Sequence, residues 1–311
     1  MPPLDTPLRT IELAGQVGFC FGVKRAIHLA EEALESNGTV YISGDLVHNA
    51  TVTSALEARG LVRTDTLNDK KEGTVIVRAH GLPAGEIRRL RDSGLQVVDA
   101  TCPIVHHAQQ AALTLEQEGY QVVIIGDANH AEIRGIVGTM TTQPLVIDSI
   151  EELRAAKASH RLKRKVGVLF QTTHALALCK DIVSELVFMC KDVRIINTIC
   201  RPVQQRQDAA VDVARRVDLM IIVGSRTSAN TIELAALCRS HNPYTKHVES
   251  ADELTDADLG WARSVGIASG LSTPVATVQA VCDAVAAYPH PPRFEARPDP
   301  TAYRPESRRG H

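Results

Sequence analysis

Three cysteines stand out because each occupies the same place in a repeated pattern. Cys20, Cys102 and Cys200 each follow an apolar or strand-like stretch, and each precedes a helix-like segment. Thiolates from three separate segments could hold Zn²⁺ or an iron–sulfur cluster. A 4Fe–4S cluster usually takes four thiolates, so three would leave one iron open to substrate. The spacing alone leaves zinc and iron equally open.

The remaining cysteines fall outside this pattern. They are Cys179, Cys190, Cys238 and Cys282. Cys179, Cys238 and Cys282 sit within helix-like runs, and because free cysteine is among the most buried residue types, we expect them to pack in the core or at the surface. Seven cysteines in a chain without a visible secretory signal also argue against a disulfide framework.

Polar side chains recur at fixed distances from the three cysteines. A glycine lies 24 residues after each cysteine, and a polar residue lies 28 after it. The glycines are Gly44, Gly126 and Gly224, and the polar residues are His48, His130 and Ser228. A third strand and turn in each block carries His80, Thr172 with Thr173, or Ser272. The chain therefore contains three copies of one pattern.

Strand-like and helix-like segments alternate along the whole chain, which indicates βαβ units and parallel sheets. Ligands of open α/β sheets gather beyond the carboxyl ends of the strands. We predict an α/β fold of three pseudo-threefold-related α/β domains, a trefoil with small parallel sheets around a central cluster. In that arrangement the three cysteines and the recurring polar residues would face one centre.

The repeat also gives domain boundaries. We predict a first α/β repeat over residues 11–102, a second over 103–199 and a third over 200–288. The N-terminal strand could pack with the third repeat rather than the first. Residues 1–10 and 289–311 are rich in proline and arginine and poor in apolar residues, so we expect disordered tails.

The recurring polar residues suit an anion. Hydrogen-bonding groups at strand ends and helix N-termini favour a compact, multiply charged group such as a diphosphate. Each histidine taken alone also fits an ordinary loop histidine. Glu132 follows His130 by two residues, and in a dry pocket its raised proton affinity would suit a proton donor. Glu132 equally fits a glutamate at a helix start, where the dipole favours it.

Composition excludes several classes. Lys plus Arg (34) nearly balances Asp plus Glu (36), and aromatic residues make up 4%, which argues against a nucleic-acid binder. The apolar runs are too short to span a membrane and no targeting segment is visible, so we expect a cytoplasmic protein. There is no phosphate-loop or dinucleotide-binding motif, so a nucleotide of its own is not expected.

Nine motifs together carry a family resemblance. In chain order they are GFCFGVKRAI, VHNATV, RAHG, DATCP, GDANHAEIRG, QTT, NTIC, VGSRTSAN and GLSTP. They resemble the 4-hydroxy-3-methylbut-2-enyl diphosphate reductase family (IspH/LytB) from Val17 to Ala287. The resemblance implies an iron–sulfur oxidoreductase that removes the allylic hydroxyl of (E)-4-hydroxy-3-methylbut-2-enyl diphosphate with two electrons and two protons. It implies isopentenyl and dimethylallyl diphosphate as products, the last step of the non-mevalonate route to isoprenes.

The same resemblance implies roles for single residues. Cys20, Cys102 and Cys200 would be the metal ligands of one 4Fe–4S cluster with one open iron. Glu132 would deliver a proton, and Thr172 would orient the substrate and carry protons. The substrate-binding positions would be His48, His80, His130, Thr172, Ser228, Ala229, Asn230 and Ser272. Electrons would come from a ferredoxin or flavodoxin type donor.

The sequence departs from the family pattern at four places. They are Ala131, Arg201–Val203, Ala229 and Leu271. Val203 and Ala229 each remove a possible hydrogen-bond donor near the site. Two alternatives therefore stay beside the reductase: a divergent paralogue that acts as a cluster-bearing binding or sensor protein, and a zinc hydrolase or lyase on the same scaffold.

Overall fold

The computed structural model describes residues 9–36, 38–67 and 69–303. The chain divides into two compact units. One unit is Phe21–Arg201, and the other combines the residues up to Cys20 with those from Pro202 onward. Twelve strands in the described part of the chain form three four-stranded sheets, and every strand pair is parallel. The predicted α/β class with three small parallel sheets is confirmed.

The first sheet lies in the Phe21–Arg201 unit. Its strands, in spatial order, are β3 (Leu61–Arg63), β2 (Val40–Ile42), β4 (Thr74–Val77) and β5 (Gln96–Asp99). The helices of this part of the chain are α1 (Phe21–Glu35), α2 (Ala50–Glu57) and α3 (Ala84–Asp92). Every residue of β4 is buried, as the unbroken apolar run of a central parallel strand requires.

The second sheet lies in the same unit. Its strands, in spatial order, are β7 (Leu145–Ile147), β6 (Gln121–Ile125), β8 (Lys165–Phe170) and β9 (Asp192–Ile195). Its helices are α4 (Pro103–Gln117), α5 (Ala131–Val137), α6 (Ile150–Ala158) and α7 (Leu176–Met189). Successive side chains of β6 point to opposite faces, so Val123 packs with Leu153 of α6 while Ile124 packs with Leu115 of α4.

The third sheet belongs to the other unit. Its strands, in spatial order, are β11 (Thr245–Val248), β10 (Leu219–Val223), β12 (Ser264–Ser269) and β1 (Thr10–Leu13). Its helices are α8 (Arg201–Ala214), α9 (Ala229–His241), α10 (Asp256–Leu259) and α11 (Val275–Ala287). Because β1 pairs with β12, with Thr10 opposite Ser264, the N-terminal strand completes the third repeat.

All three sheets share one strand order. In each spatial order, the second strand leads to the glycine and the polar residue that follows it, and the third strand leads to another recurring polar residue. The edge strand beside the third leads to a cysteine. That edge strand is β5 before Cys102, β9 before Cys200 and β1 before Cys20. The third repeat is therefore a circular permutation of the other two.

The chain after α11 is largely exposed, but several of its residues contact the unit that contains the third sheet. Residues Phe294–Ala296 and Pro300–Tyr303 form 3-10 turns. The guanidinium of Arg297 lies 3.8 Å from the ring centroid of Tyr244, and Tyr303 is buried against the third sheet. The structure thus differs from the predicted tail over residues 289–303, because these aromatic partners lie far away in the sequence. Residues 304–311 lie outside the described part.

The prediction of a disordered tail over residues 1–10 is likewise corrected for its last two residues. The guanidinium of Arg9 donates from Nε and Nη2 to the carbonyl oxygen of Leu259, at 3.0 and 2.7 Å. Thr10 begins β1, while residues 1–8 lie outside the described part. Among the described helices, none combines the length and the apolar character that a membrane crossing needs.

Candidate active site

Three histidines meet within the Phe21–Arg201 unit. His48 follows β2, His80 follows β4 and His130 is the N-cap of α5, so all three lie beyond the carboxyl ends of parallel strands. The ring centroids of His48 and His80 are 4.4 Å apart, and that of His130 lies 5.7 Å from His80 and 6.2 Å from His48. One ring nitrogen from each lies within 4.8 Å of the others, so a single ion could contact all three.

Burial keeps these imidazoles neutral. It lowers the pKa of His48, lowers that of His130 to about 4 and lowers that of His80 well below its usual value. Mutual repulsion with the neighbouring histidines lowers the pKa of His80 further. Nδ1 of His80 is buried and has no hydrogen-bond partner among the described residues, which is costly unless a ligand completes it.

A cation stands beside the histidines. Arg78 lies two residues before His80, and its charge lowers the pKa of all three histidines. Burial and the charge of Arg134 lower the pKa of Arg78 itself. A fixed positive charge at this position favours an anion over a metal cation among the three rings.

A buried carboxyl group adjoins the histidine cluster. Glu132 is 2% exposed, and its backbone N–H donates to Nδ1 of His130 at 3.2 Å. Thr172 donates to both carboxyl oxygens of Glu132, from its backbone N–H at 2.7 Å and from its hydroxyl at 2.8 Å. Burial raises the pKa of Glu132, and the two bonds from Thr172 and the charge of His174 oppose that rise. A carboxyl group in this setting can hold and release a proton.

Sequence reasoning missed a histidine–carboxylate pair whose histidine lowers the pKa of Glu132. Nε2 of His174 lies 2.7 Å from Oδ1 of Asp148, the residue that follows β7. His174 is buried while Asp148 is half-exposed. The signal available in the sequence was the histidine that ends QTTH, two residues after Thr172.

The three cysteines occupy equivalent backbone positions. The N–H of Cys102 donates to the carbonyl of Ala79 at 3.0 Å, that of Cys200 to Thr172 at 2.9 Å, and that of Cys20 to Leu271 at 3.1 Å. Each acceptor lies two residues after the end of the third strand of its sheet.

Each cysteine also stands next to a helix start. The helices that begin at the following residue are α4 after Cys102, α8 after Cys200 and α1 after Cys20. The positive end of the helix dipole favours a thiolate there. Cys102 and Cys200 belong to the Phe21–Arg201 unit, and Cys20 belongs to the other.

The unit that contains the third sheet holds the remaining candidates. Ser228 is the N-cap of α9, and its hydroxyl accepts from the N–H of Thr231 at 3.4 Å. Ala229 begins α9, and Asn230 is buried with its Nδ2 lacking a hydrogen-bond partner in the described residues. Ser272 is buried in the turn after β12. The two segments approach closely, because a Cβ added at Gly270 would lie 2.1 Å from Oγ1 of Thr231.

Sequence reasoning assigned no role to Arg206. It projects from α8, and its Nη1 donates to the carbonyls of Gly18 at 3.0 Å and Gly270 at 2.8 Å. Burial lowers its pKa. It therefore fixes both the segment that leads to Cys20 and the turn that leads to Ser272. The only available signal was the arginine that follows NTIC at a distance of six residues from Cys200.

Two departures from the family pattern have simple structural settings. Leu271 contributes its backbone carbonyl to Cys20, so the size of its side chain does not alter that bond. Val203 is 1% exposed within α8, where it packs as an apolar residue.

Comparison with known proteins gives a consistent result. The family model described as LytB protein matches residues 11–286. A 4-hydroxy-3-methylbut-2-enyl diphosphate reductase of Helicobacter pylori (strain Shi470) is 41% identical over 269 residues, covering 85% of this chain and 94% of the relative. The enzyme of that name from Aquifex aeolicus (strain VF5) is 39% identical over 268 residues, covering 85% and 91%.

Two solved structures are also similar. The structure of (E)-4-hydroxy-3-methyl-but-2-enyl diphosphate reductase, the terminal enzyme of the non-mevalonate pathway, is 38% identical with a TM-score of 0.65, covering 89% of this chain and 99% of that one. The E-1-hydroxy-2-methyl-but-2-enyl-4-diphosphate reductase from Plasmodium falciparum is 26% identical with a TM-score of 0.84, covering 90% and 89%.

Proposed function

Because the chain belongs to the LytB protein family, whose relatives are named 4-hydroxy-3-methylbut-2-enyl diphosphate reductases, we propose that it catalyses this reduction. The reaction removes the allylic hydroxyl with two electrons and two protons and yields isopentenyl and dimethylallyl diphosphate. One observation carries the proposal beyond the family: the buried carboxyl group of Glu132, held by Thr172, adjoins a cluster of three neutral histidines.

The family consists of iron–sulfur enzymes, and we propose Cys20, Cys102 and Cys200 as ligands of one 4Fe–4S cluster with one open iron. Their equivalent backbone positions at helix starts support this assignment. A cluster of this kind supplies electrons and a Lewis-acidic site for the hydroxyl oxygen. The proposal requires the three sulfur atoms to converge, as in a trefoil of three repeats.

We propose the recurring polar residues as the groups that bind the diphosphate. His48, His80 and His130 offer neutral imidazoles, and Nδ1 of His80 lacks a partner. Ser228, Ala229, Asn230 and Ser272 lie at the start of α9 and after β12. The unpaired Nδ2 of Asn230 is a buried donor that a phosphate oxygen would satisfy.

The proton chemistry is assigned to two residues. Burial raises the pKa of Glu132, which favours its protonated form, and its position beside His130 lies next to the proposed anion site. Thr172 fixes the orientation of the carboxyl group and can pass a proton through its hydroxyl. A carboxylic acid with a raised pKa is suited to protonate a leaving hydroxyl or an allylic carbon.

Partner and location follow from the family alone. We propose a ferredoxin or flavodoxin type electron donor and the cytoplasm as the compartment. The zinc hydrolase or lyase would hold its metal on the same three cysteines, so metal content separates it from the reductase. A sensor protein would carry the cluster but lack turnover.

Anaerobic turnover tests the proposal. The protein is purified without oxygen, its iron and sulfide are measured, and it is assayed with (E)-4-hydroxy-3-methylbut-2-enyl diphosphate, dithionite and a viologen mediator. Formation of the two five-carbon diphosphates is the expected result. A cluster-bearing protein that binds this substrate without converting it would favour the sensor, and a protein that contains zinc without iron would favour the hydrolase.

A further inference from the structure

The three histidines proposed as the diphosphate site of the Phe21–Arg201 unit carry no charge. Burial lowers the pKa of His48, His80 and His130, so the three rings are neutral near pH 7. Neutral imidazoles donate hydrogen bonds, but they do not offset the several negative charges of a diphosphate. Binding such a ligand in a partly buried site requires a cation close to it.

Arg78 is the cation that the fold places there. It sits on the turn between β4 and His80, and its charge acts on all three histidines. Its Nε atom is buried and has no hydrogen-bond partner, and no described carboxylate lies within 4.0 Å of its guanidinium. Glu86 and Asp45 raise the pKa of Arg78 from a distance. A half-buried guanidinium that no carboxylate contacts still marks a place for an anion.

The neighbouring charges leave this guanidinium available. Asp45, the acidic residue between Gly44 and the histidines, is paired with Arg63 at 2.9 Å. Arg134 is exposed, and its Nη1 donates to the carbonyl of Asn129. Arg78 is half-buried, and its side chain forms neither of these bonds.

A glycine makes the space for this side chain. Gly44, which follows β2, has a φ of +74°, and a Cβ added there would lie 3.2 Å from Nη1 of Arg78. A residue with a side chain would meet both backbone strain and the guanidinium. The recurrent glycine of the first repeat therefore lets Arg78 lie against the β2 turn, beside His48.

We propose that Arg78 binds the substrate diphosphate directly and supplies the fixed positive charge that selects a diphosphate over a monophosphate. The inference rests on the proposed function, since it takes the three histidines as the diphosphate site. Two-pronged donation from a planar guanidinium suits adjacent phosphate oxygens, and its charge is retained at every pH of interest.

Binding of inorganic diphosphate and of orthophosphate to the anaerobically purified holoenzyme tests this role. Titration calorimetry is carried out with the wild type, Arg78→Gln, Arg78→Lys and Arg89→Gln, the last being an exposed arginine of α3. Arg78→Gln should weaken diphosphate binding about 10- to 100-fold and orthophosphate binding less, because a charge-assisted contact is lost. Arg78→Lys should recover part of the affinity, and Arg89→Gln should stay within about twofold of the wild type.

Steady-state kinetics provide the second readout. KM for the allylic diphosphate should rise in Arg78→Gln in parallel with the calorimetric loss, while kcat changes little. Unchanged diphosphate affinity in Arg78→Gln would overturn the inference, as would an equal loss for both anions that Arg78→Lys does not restore. If the wild type fails to turn over the substrate while diphosphate binding still depends on Arg78, the proposed function falls and the binding role stands.

Discussion

Thr172 holds both carboxyl oxygens of Glu132, one through its backbone N–H at 2.7 Å and the other through its hydroxyl at 2.8 Å. The carbonyl of the same threonine accepts the N–H of Cys200 at 2.9 Å. One residue therefore joins the proposed proton donor to a proposed cluster ligand. A shift of this turn would move the acid and the cysteine together.

Glu132→Gln should abolish turnover and stabilise the protein. Glutamine keeps the shape, accepts the N–H of Thr172 through its amide oxygen and can donate from its amide nitrogen to the hydroxyl oxygen of Thr172. It carries no buried charge, so a gain of about 1–2 kcal/mol in the free energy of unfolding is expected at pH 7. Because the folded-state pKa of Glu132 is raised, the folded wild type binds a proton at a higher pH than the unfolded chain does. The gain should shrink toward pH 4.5, which anaerobic urea unfolding at several pH values measures. A variant less stable than the wild type at pH 7 would contradict the burial argument.

Thr172→Val should shift the pH dependence of kcat. The hydroxyl of Thr172 lowers the pKa of Glu132, so its removal should raise that pKa and move the alkaline limb of the profile upward. Thr172→Ser keeps the hydroxyl and serves as the matched control. An alkaline limb that stays in place in Thr172→Val would show that another group is being titrated.

Diphosphate binding should be linked to proton uptake by His130. Burial lowers the pKa of His130 to about 4 in the free protein, and a bound anion would raise it. The affinity for inorganic diphosphate should therefore increase as pH falls from 7 toward 5, in excess of any trend from the ligand itself. Calorimetry in buffers of different ionisation enthalpy, comparing the wild type with His130→Gln, isolates the protons taken up. Equal proton uptake by the two proteins would refute the assignment.

Cys102→Ser should lose the cluster, while Cys282→Ser should keep it. The first residue stands at one of three equivalent positions before a helix, and the second lies on α11 outside the repeat. Iron and sulfide content and the visible absorption of anaerobic protein measure the difference. Full iron content in Cys102→Ser would remove this cysteine from the ligand set.

Tyr303→Ala should destabilise the unit that contains the third sheet by about 2–4 kcal/mol, as truncation of a buried aromatic side chain does. Its ring packs on Tyr244 at a centroid distance of 5.9 Å, and its carbonyl accepts from Nε of Arg239. Tyr303→Phe keeps the ring and should lose far less. A change below about 0.5 kcal/mol, measured by urea unfolding, is what an unpacked tail would give.

The repeat was visible in the sequence because the three sheets share one strand order and the corresponding residues are separated by equal lengths of chain. Gly44, Gly126 and Gly224 each follow a strand, and the cysteines follow the edge strands, so equal offsets reported equal topology. The sequence left open whether the N-terminal strand packs with the third repeat, and in the structure Thr10 of β1 lies opposite Ser264 of β12.

Arginines and their partners were harder to predict. Arg206 and Arg78 carry charge in partly buried places, where helical or strand periodicity gives no hint of what they contact. The segment after α11 looked disordered because proline and arginine dominate it. Its order comes from Arg297 on Tyr244 and from Tyr303, which are tertiary contacts between residues far apart in the sequence.

The permuted third sheet has a consequence for synthesis. The ribosome releases β1 first, but its neighbour β12 emerges only near the end of translation, and Thr10 must then find Ser264. Cys20 follows β1, and its N–H is bound by Leu271, which emerges just after β12. A nascent chain that stops before β12 lacks the carbonyl group that binds the N–H of Cys20, so this proposed ligand can take its backbone position only after β12 and Leu271 have been made.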